Sequence, residues 1–335
     1  MTLHVLEPGL LTTVQDLGRP GYQGDGIPEG GAMDPVAHRV ANQLVGNSDD
    51  AATLEITMTG PSLRFETEAL VAFAGADLAV TIDDIPVPGW RPVSVRAGAT
   101  LRSGALRSGC RAYFATAGGI DVPRVLGSRS TYLRAAIGGM RGRALKRSDV
   151  VPTGVPTTLG RAITTMLTRG DRVLCVAPWG AGPSLRPPYA DTPTVRMIEG
   201  AHTSRLTPRA RELLVQTEFR VGVQSDRMGY RLEAAALELS SPVELLSEAV
   251  AFGTVQLPPN GKPIILMADR QTTGGYPRIG AVATVDLPLL AQLKPGDRVR
   301  FRIISLEEAQ SYYLAREHDL VQSAQAIRLI SAGAR

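Results

Sequence analysis

The sequence predicts a mainly β fold: two related β domains in tandem, each a barrel or a sandwich, with few helices and a long C-terminal helix. Three observations predict it. Strand-like segments are short and closely punctuated, with 35 glycines and 24 prolines in 335 residues, a pattern of barrels or sandwiches rather than of a doubly wound sheet. Three patterns recur in the same order in the two halves, which points to two related domains. Between the halves lies PWGAGPSLRPPYADTP, a stretch dense in proline and turn residues that reads as a linker.

His4 to Glu7 is the first strand of an N-terminal domain spanning 1–177. Asp34 is an N-cap with Pro35 at the first helical position, and the helix they open runs through Val45 to a stop at Gly46-Asn47. Strands follow at Leu70 to Phe73, Leu78 to Ile82, Arg111 to Ala115 and Arg172 to Ala177. The linker occupies 178–194, and a second domain spans 195–305. Its first strand, Arg196 to Glu199, echoes His4 to Glu7. GKPIILMADRQTTGG from Gly261 echoes GCRAYFATAGG from Gly109 with an insertion, and Leu293 to Val299 echoes Leu145 to Val151 as a turn into a closing strand. Arg298 to Ile304 is that strand. Ser305 and Glu308 form a capping-box pattern at the start of a helix spanning 306–331. Its apolar face is Leu306, Ala309, Tyr313, Leu320, Ala324 and Ile327.

Composition narrows the function. A hydrophobic share of 44% with 20% charged residues fits a globular protein that buries full cores. No apolar run reaches the length of a membrane-spanning helix, and the N-terminus lacks a leader pattern, so the expected location is the cytoplasm without membrane association. The net charge of +4 is spread among 32 acids without a basic stripe, which argues against a nucleic-acid partner. The histidines have no metal-ligand spacing, so no metal site is expected. Cys110 and Cys175 read as buried free thiols. No GxSxG elbow or hydrolytic triad is present. Chemistry must rest on carboxylates, arginines, hydroxyls and backbone donors.

The strongest candidate lies after the strand Pro263 to Met267, where Asp269, Arg270, Gln271, Thr272, Thr273, Gly274, Gly275 and Tyr276 offer acceptors, a guanidinium, an amide and hydroxyls. The glycines let backbone N–H groups approach a ligand closely. The same loop can also be a turn capped by its own side chains. Asp269 to Thr272 is the insertion that distinguishes the second repeat from the first. Other glycine-flanked polar clusters hold Asp16 and Arg19, then Ser128 and Arg129, then Asp226, Arg227 and Tyr230. Each reads equally as an irregular connection. Gly30 to Asp34, ahead of the first helix, could receive an anion.

Taken jointly, TVQDLGRPGY at Thr13, GAMDP at Gly31, VLGSRSTY at Val125, SDRMGYRLE at Ser225, the long run from Ser247 through ADRQTTGGYPRIG, and LKPGDRVRF at Leu293 resemble the KipA family. That resemblance spans most of the chain. It implies two cyclophilin-like barrels and, as partner, a KipI-like B subunit, with the active site in the cleft between the two proteins. One family chemistry is ATP-dependent opening of 5-oxoproline to glutamate, carried out with the B subunit plus a homologue of the A subunit. Asp269 would then position Mg²⁺ or a proton, and Arg270 would hold a phosphate or the substrate carboxylate. A second chemistry is carboxyl transfer from carboxybiotin, supplied in trans, to a urea-like nitrogen. A third possibility is a non-catalytic protein that binds the KipI-like B subunit.

Overall fold

The computed structural model describes residues 2–168, 172–241 and 245–332. Their contacts sort into two compact units. Unit 1 takes Met1–Arg19, Asp34–Pro187 and Glu317–Arg335, and unit 2 takes Pro20–Met33 and Pro188–Arg316. The change from one unit to the other at Pro187 falls inside the proline-rich 178–194 stretch. That stretch is not a loose tether: Pro183–Leu185 forms a 3₁₀ turn, Ala181 and Leu185 are buried, and the Arg186 guanidinium donates to the Ala181 carbonyl. A tandem division does not foresee that Pro20–Met33 counts with unit 2.

Unit 1 is built on two six-stranded sheets. One orders Val150–Pro152, Thr2–Glu7, Ser62–Phe65, Thr100–Arg102, Thr81–Ile82 and Ile85–Pro86. The other orders Leu174–Val176, Pro92–Val95, Ala69–Asp77, Ser108–Thr116, Thr53–Thr57 and Leu11–Gln15. Val5, Leu63, Phe65, Val71, Val93, Leu101 and Phe114 fill a common core. Alternation along Ser62–Phe65, with Leu63 and Phe65 buried and Arg64 exposed, is what the two-residue period of a half-buried strand dictates. The strand expected over Leu78 to Ile82 is limited to Thr81–Ile82, because Ala79 takes φ +45° and turns the chain.

Unit 2 is a closed seven-stranded barrel ordered Thr194–Glu199, Arg278–Val282, Thr254–Gln256, Ile264–Leu266, Gly229–Glu233, Phe219–Val221 and Arg298–Ile303. A parallel pair closes it, with Val195 opposite Phe301 and Met197 opposite Ile303. Val195, Met197, Val299 and Phe301 point into the core. Gly280 on the neighbouring strand leaves room for Met197: a Cβ there would lie 2.4 Å from the Met197 sulfur and displace that side chain.

The turn shared by the repeats is real at atomic level. Asp149 N–H donates to the Lys146 carbonyl at 3.1 Å and its carboxylate accepts from Lys146 N–H at 2.7 Å. Asp297 repeats both bonds with Lys294, at 3.1 and 3.0 Å.

Five α-helices are present among the described residues. Pro35–Leu44 is capped as expected by Asp34, whose carboxylate accepts from Ala37 N–H at 2.8 Å. Leu306–Ala332 begins with a reciprocal capping box: Ser305 N–H to Glu308 at 2.9 Å and Glu308 N–H to Ser305 at 3.1 Å. On its anticipated apolar face Ala309, Leu320 and Ile327 are buried, whereas Leu306 and Tyr313 are exposed. The helices Thr158–Leu167, Pro208–Gln216 and Leu287–Ala291 come in addition to those two. Cys110 is buried and Cys175 half-buried, both as free thiols. No helix of the described residues is long and apolar enough to cross a membrane.

Candidate functional site

The segment that follows the barrel strand Ile264–Leu266 in unit 2 gathers most of the candidate residues. Met267 and Ala268 continue buried, and Arg270 N–H donates to the Met267 carbonyl at 3.1 Å, closing a turn around Ala268 and Asp269. Asp269 N–H donates to the Arg227 carbonyl at 2.8 Å. In return Arg227 Nε and Nη2 donate to the two carboxylate oxygens of Asp269, each at 2.9 Å. Arg227 Nη2 also donates to the Gly31 carbonyl at 2.6 Å. With side-chain exposures of 8% and 6%, this is a buried bidentate pair. Both Asp269 oxygens are thus engaged by a guanidinium. Their geometry suits fixing Arg227 and the turn.

Arg270 points the other way from its neighbour's partner set. Its Nη2 donates to Glu29 at 3.1 Å, its Nε to the Val250 carbonyl at 3.3 Å, and its guanidinium lies 6.0 Å from the centre of the Phe252 ring. Gln271 is exposed, and Val250 N–H donates to the Thr272 carbonyl. Thr273–Gly274 pairs antiparallel with Glu248–Ala249 as a two-stranded ribbon. Gly275 and Tyr276 leave that ribbon exposed.

Beneath it lies Gln256, 1% exposed, whose Nε2 has no hydrogen-bond partner. A Cβ on Gly274 would sit 2.3 Å from that Nε2, so a larger residue there would have to push the amide aside. A buried donor without an acceptor is uncommon in native proteins. Arg270 and the glycine backbone of the same loop are groups suited to an anionic or carbonyl oxygen, with Glu29 balancing part of the charge.

The other candidates are placed differently. Tyr230 is a core residue whose hydroxyl donates to the Leu293 carbonyl at 3.2 Å. Asp226 caps its own turn, accepting from Met228 N–H at 2.8 Å and Gly229 N–H at 3.3 Å. In unit 1, Asp16 and the Ser128 region do meet. The Asp16 carboxylate accepts from the Ser128 and Ser130 hydroxyls and from Arg129 N–H, all at 2.6 Å, and from Gly18 N–H at 2.8 Å. Arg19 donates to the Ser130 carbonyl, and the Arg129 side chain to the Val122 carbonyl and Asp121. This network ties two loops distant in sequence together.

Glu29 and Gln256 were not singled out in the sequence. Glu29 is a lone acid among glycines, 241 positions from Arg270. Gln256 interrupts an apolar strand, and a polar residue at an inward strand position was the available signal.

Residues 25–303 match the family model of the carboxyltransferase domain, subdomain A and B. The chain is 39% identical to the C subunit of 5-oxoprolinase from Escherichia coli over 92% of this chain and 93% of that protein. It is 32% identical to urea amidolyase of Saccharomyces cerevisiae over 92% of this chain but 17% of that protein. The crystal structure of the Kluyveromyces lactis urea amidolyase superposes with a TM-score of 0.86 at 30% identity, covering 96% of this chain and 20% of that one.

Proposed function

This chain belongs to the family of the carboxyltransferase domain, subdomains A and B, and on that premise we propose that it is the C subunit of a cytoplasmic, ATP-dependent 5-oxoprolinase. It works with a KipI-like B subunit plus a homologue of the A subunit to open 5-oxo-L-proline to L-glutamate. What supports this reading over the others is near full-length likeness, in both directions, to two proteins that bear the name of the 5-oxoprolinase C subunit. The observation that carries the site is Arg270, held by Glu29 and the Val250 carbonyl at the start of the loop that goes on to the Thr273–Gly274 ribbon.

A lactam amide resists water, and ATP bound in the complex supplies the phosphoryl group that makes its carbonyl oxygen a leaving group. The residues of this chain bind and orient. Arg270 holds an oxyanion or the substrate carboxylate, and the Gly274-Gly275 backbone permits close approach. Gln271, Thr272, Thr273 and Tyr276 line the accessible side. Asp269 acts through Arg227, as a positioning residue. Mg²⁺ would enter with ATP in the complex, held largely by the phosphates, where it would neutralise their charge.

A second reading, carboxyl transfer from carboxybiotin to a urea-like nitrogen, is favoured by the family model and the superposition on a urea amidolyase. One experiment separates the two. The chain, its KipI-like neighbour and the homologue of the A subunit are mixed, and ADP release is measured with and without 5-oxo-L-proline. Release that requires 5-oxoproline and all three proteins is expected. No turnover by the trio, together with carboxyl transfer from free carboxybiotin to urea, would sink the 5-oxoprolinase reading.

A further inference from the structure

Unit 1 contains a cavity of about 380 Å³, away from the Asp16 network, lined by the helix Pro35–Leu44, the residues just after it, Leu159 and the final turns of the C-terminal helix. That volume lies within the range of small-molecule sites, about 300–1,000 Å³. Its lining is divided by chemistry. Gln43 is 5% exposed, and while its Nε2 donates to Asp49 at 3.0 Å, its Oε1 is buried with no hydrogen-bond partner among the described residues. An unsatisfied buried acceptor asks for a donor.

The charge around Gln43 says which donor. Arg39 is shared between Asp49, at 2.7 Å, and Glu317, at 2.7 Å. Asp49 also accepts from Gln43 Nε2, which puts a carboxylate beside Gln43 and favours a cation there. Arg328 and Gln325, also lining the cavity, are exposed and have no hydrogen bond from their side chains among the described residues. Arg328 favours an anion. Leu159 and the buried Leu320 supply apolar wall for a short carbon skeleton.

We infer that this cavity binds a small zwitterionic α-amino acid, its ammonium on Gln43 Oε1 beside Asp49 and its carboxylate toward Arg328. On the function proposed above L-glutamate is the product, so occupancy would report product. Binding to the isolated full chain needs no turnover, so this inference and that reading fail separately.

The test is calorimetric titration of the full chain with L-glutamate, glutarate and 5-oxo-L-proline. Glutarate lacks the ammonium and 5-oxo-L-proline has a neutral nitrogen. Saturable binding of L-glutamate is expected, with both other compounds weaker by about tenfold or more, the size of one hydrogen bond to a charged group. The exposed Arg328→Ala change should weaken L-glutamate binding several-fold without altering the fold, and Gln43→Met should abolish it. No heat with L-glutamate, glutarate or 5-oxo-L-proline binding as tightly, or affinity unmoved by Arg328→Ala would each overturn the inference.

Discussion

The Asp269→Ala substitution is expected to destabilise unit 2 by about 3–5 kcal/mol, the cost of leaving a buried charge without its counter-charge. The Arg227 guanidinium is nearly inaccessible, and two of its donors end on Asp269. Removing the carboxylate leaves those donors in an apolar surround while the turn also loses the side chain that ties Asp269 to Arg227. A urea titration followed by fluorescence or circular dichroism measures the loss. The double change Asp269→Ala with Arg227→Met should be less destabilising than the single one, because it removes both charges together. A single variant as stable as wild type would show that water reaches the pair and that the site is not organised around it.

The second large effect is acid sensitivity set by His38. This imidazole is buried, with Nδ1 2.9 Å from the Thr53 hydroxyl and Nε2 3.0 Å from the Asp49 carbonyl. Burial pushes its pKa down to about 4 against the nearby acids that oppose it. The folded pKa lies below the ordinary value of 6.5, so between those values the unfolded chain takes up a proton that the fold refuses. Stability is therefore complete above about pH 6.5 and falls as the pH drops toward about 4, by about 3 kcal/mol in all. The urea midpoint should decline between pH 7 and 4.5, and His38→Gln should flatten that decline. Equal decline in both proteins would remove His38 as the cause.

Legibility in the sequence followed the range of the interactions involved. Local signals read correctly: the Asp34-Pro35 cap, the Ser305–Glu308 box and the repeated Lys146–Asp149 and Lys294–Asp297 turns are each decided by residues within three positions. The helix Thr158–Leu167 was hidden because Gly160 and its threonines lower helix propensity. Tertiary packing overrides that, with Ile163 and Leu167 buried and Thr157 capping Gly160 N–H at 2.9 Å. Pro208–Gln216 carried a Thr207 cap and a proline at its first position, a signal that was present but short.

The site divides in the same way. Composition of the loop from Asp269 to Tyr276 marked it, but not which of its members turn inward. Asp16, Ser128 and Arg129 were each visible as polar loop residues, and only the fold shows that they satisfy one another. Arg227 reads as a surface arginine until its partner 42 positions later is in place. Glu29 and Gln256 take their meaning from long-range neighbours alone.

The measurement that bears most directly on the central claim is 5-oxoproline-dependent glutamate formation by the three-protein complex, assembled with Arg270→Ala beside wild type and with assembly checked by size-exclusion chromatography. Removing a charged donor from an oxyanion site lowers turnover by about 10²–10³-fold, and that loss with an intact complex is the predicted result. Wild-type turnover from an assembled Arg270→Ala complex would contradict a site built on this loop.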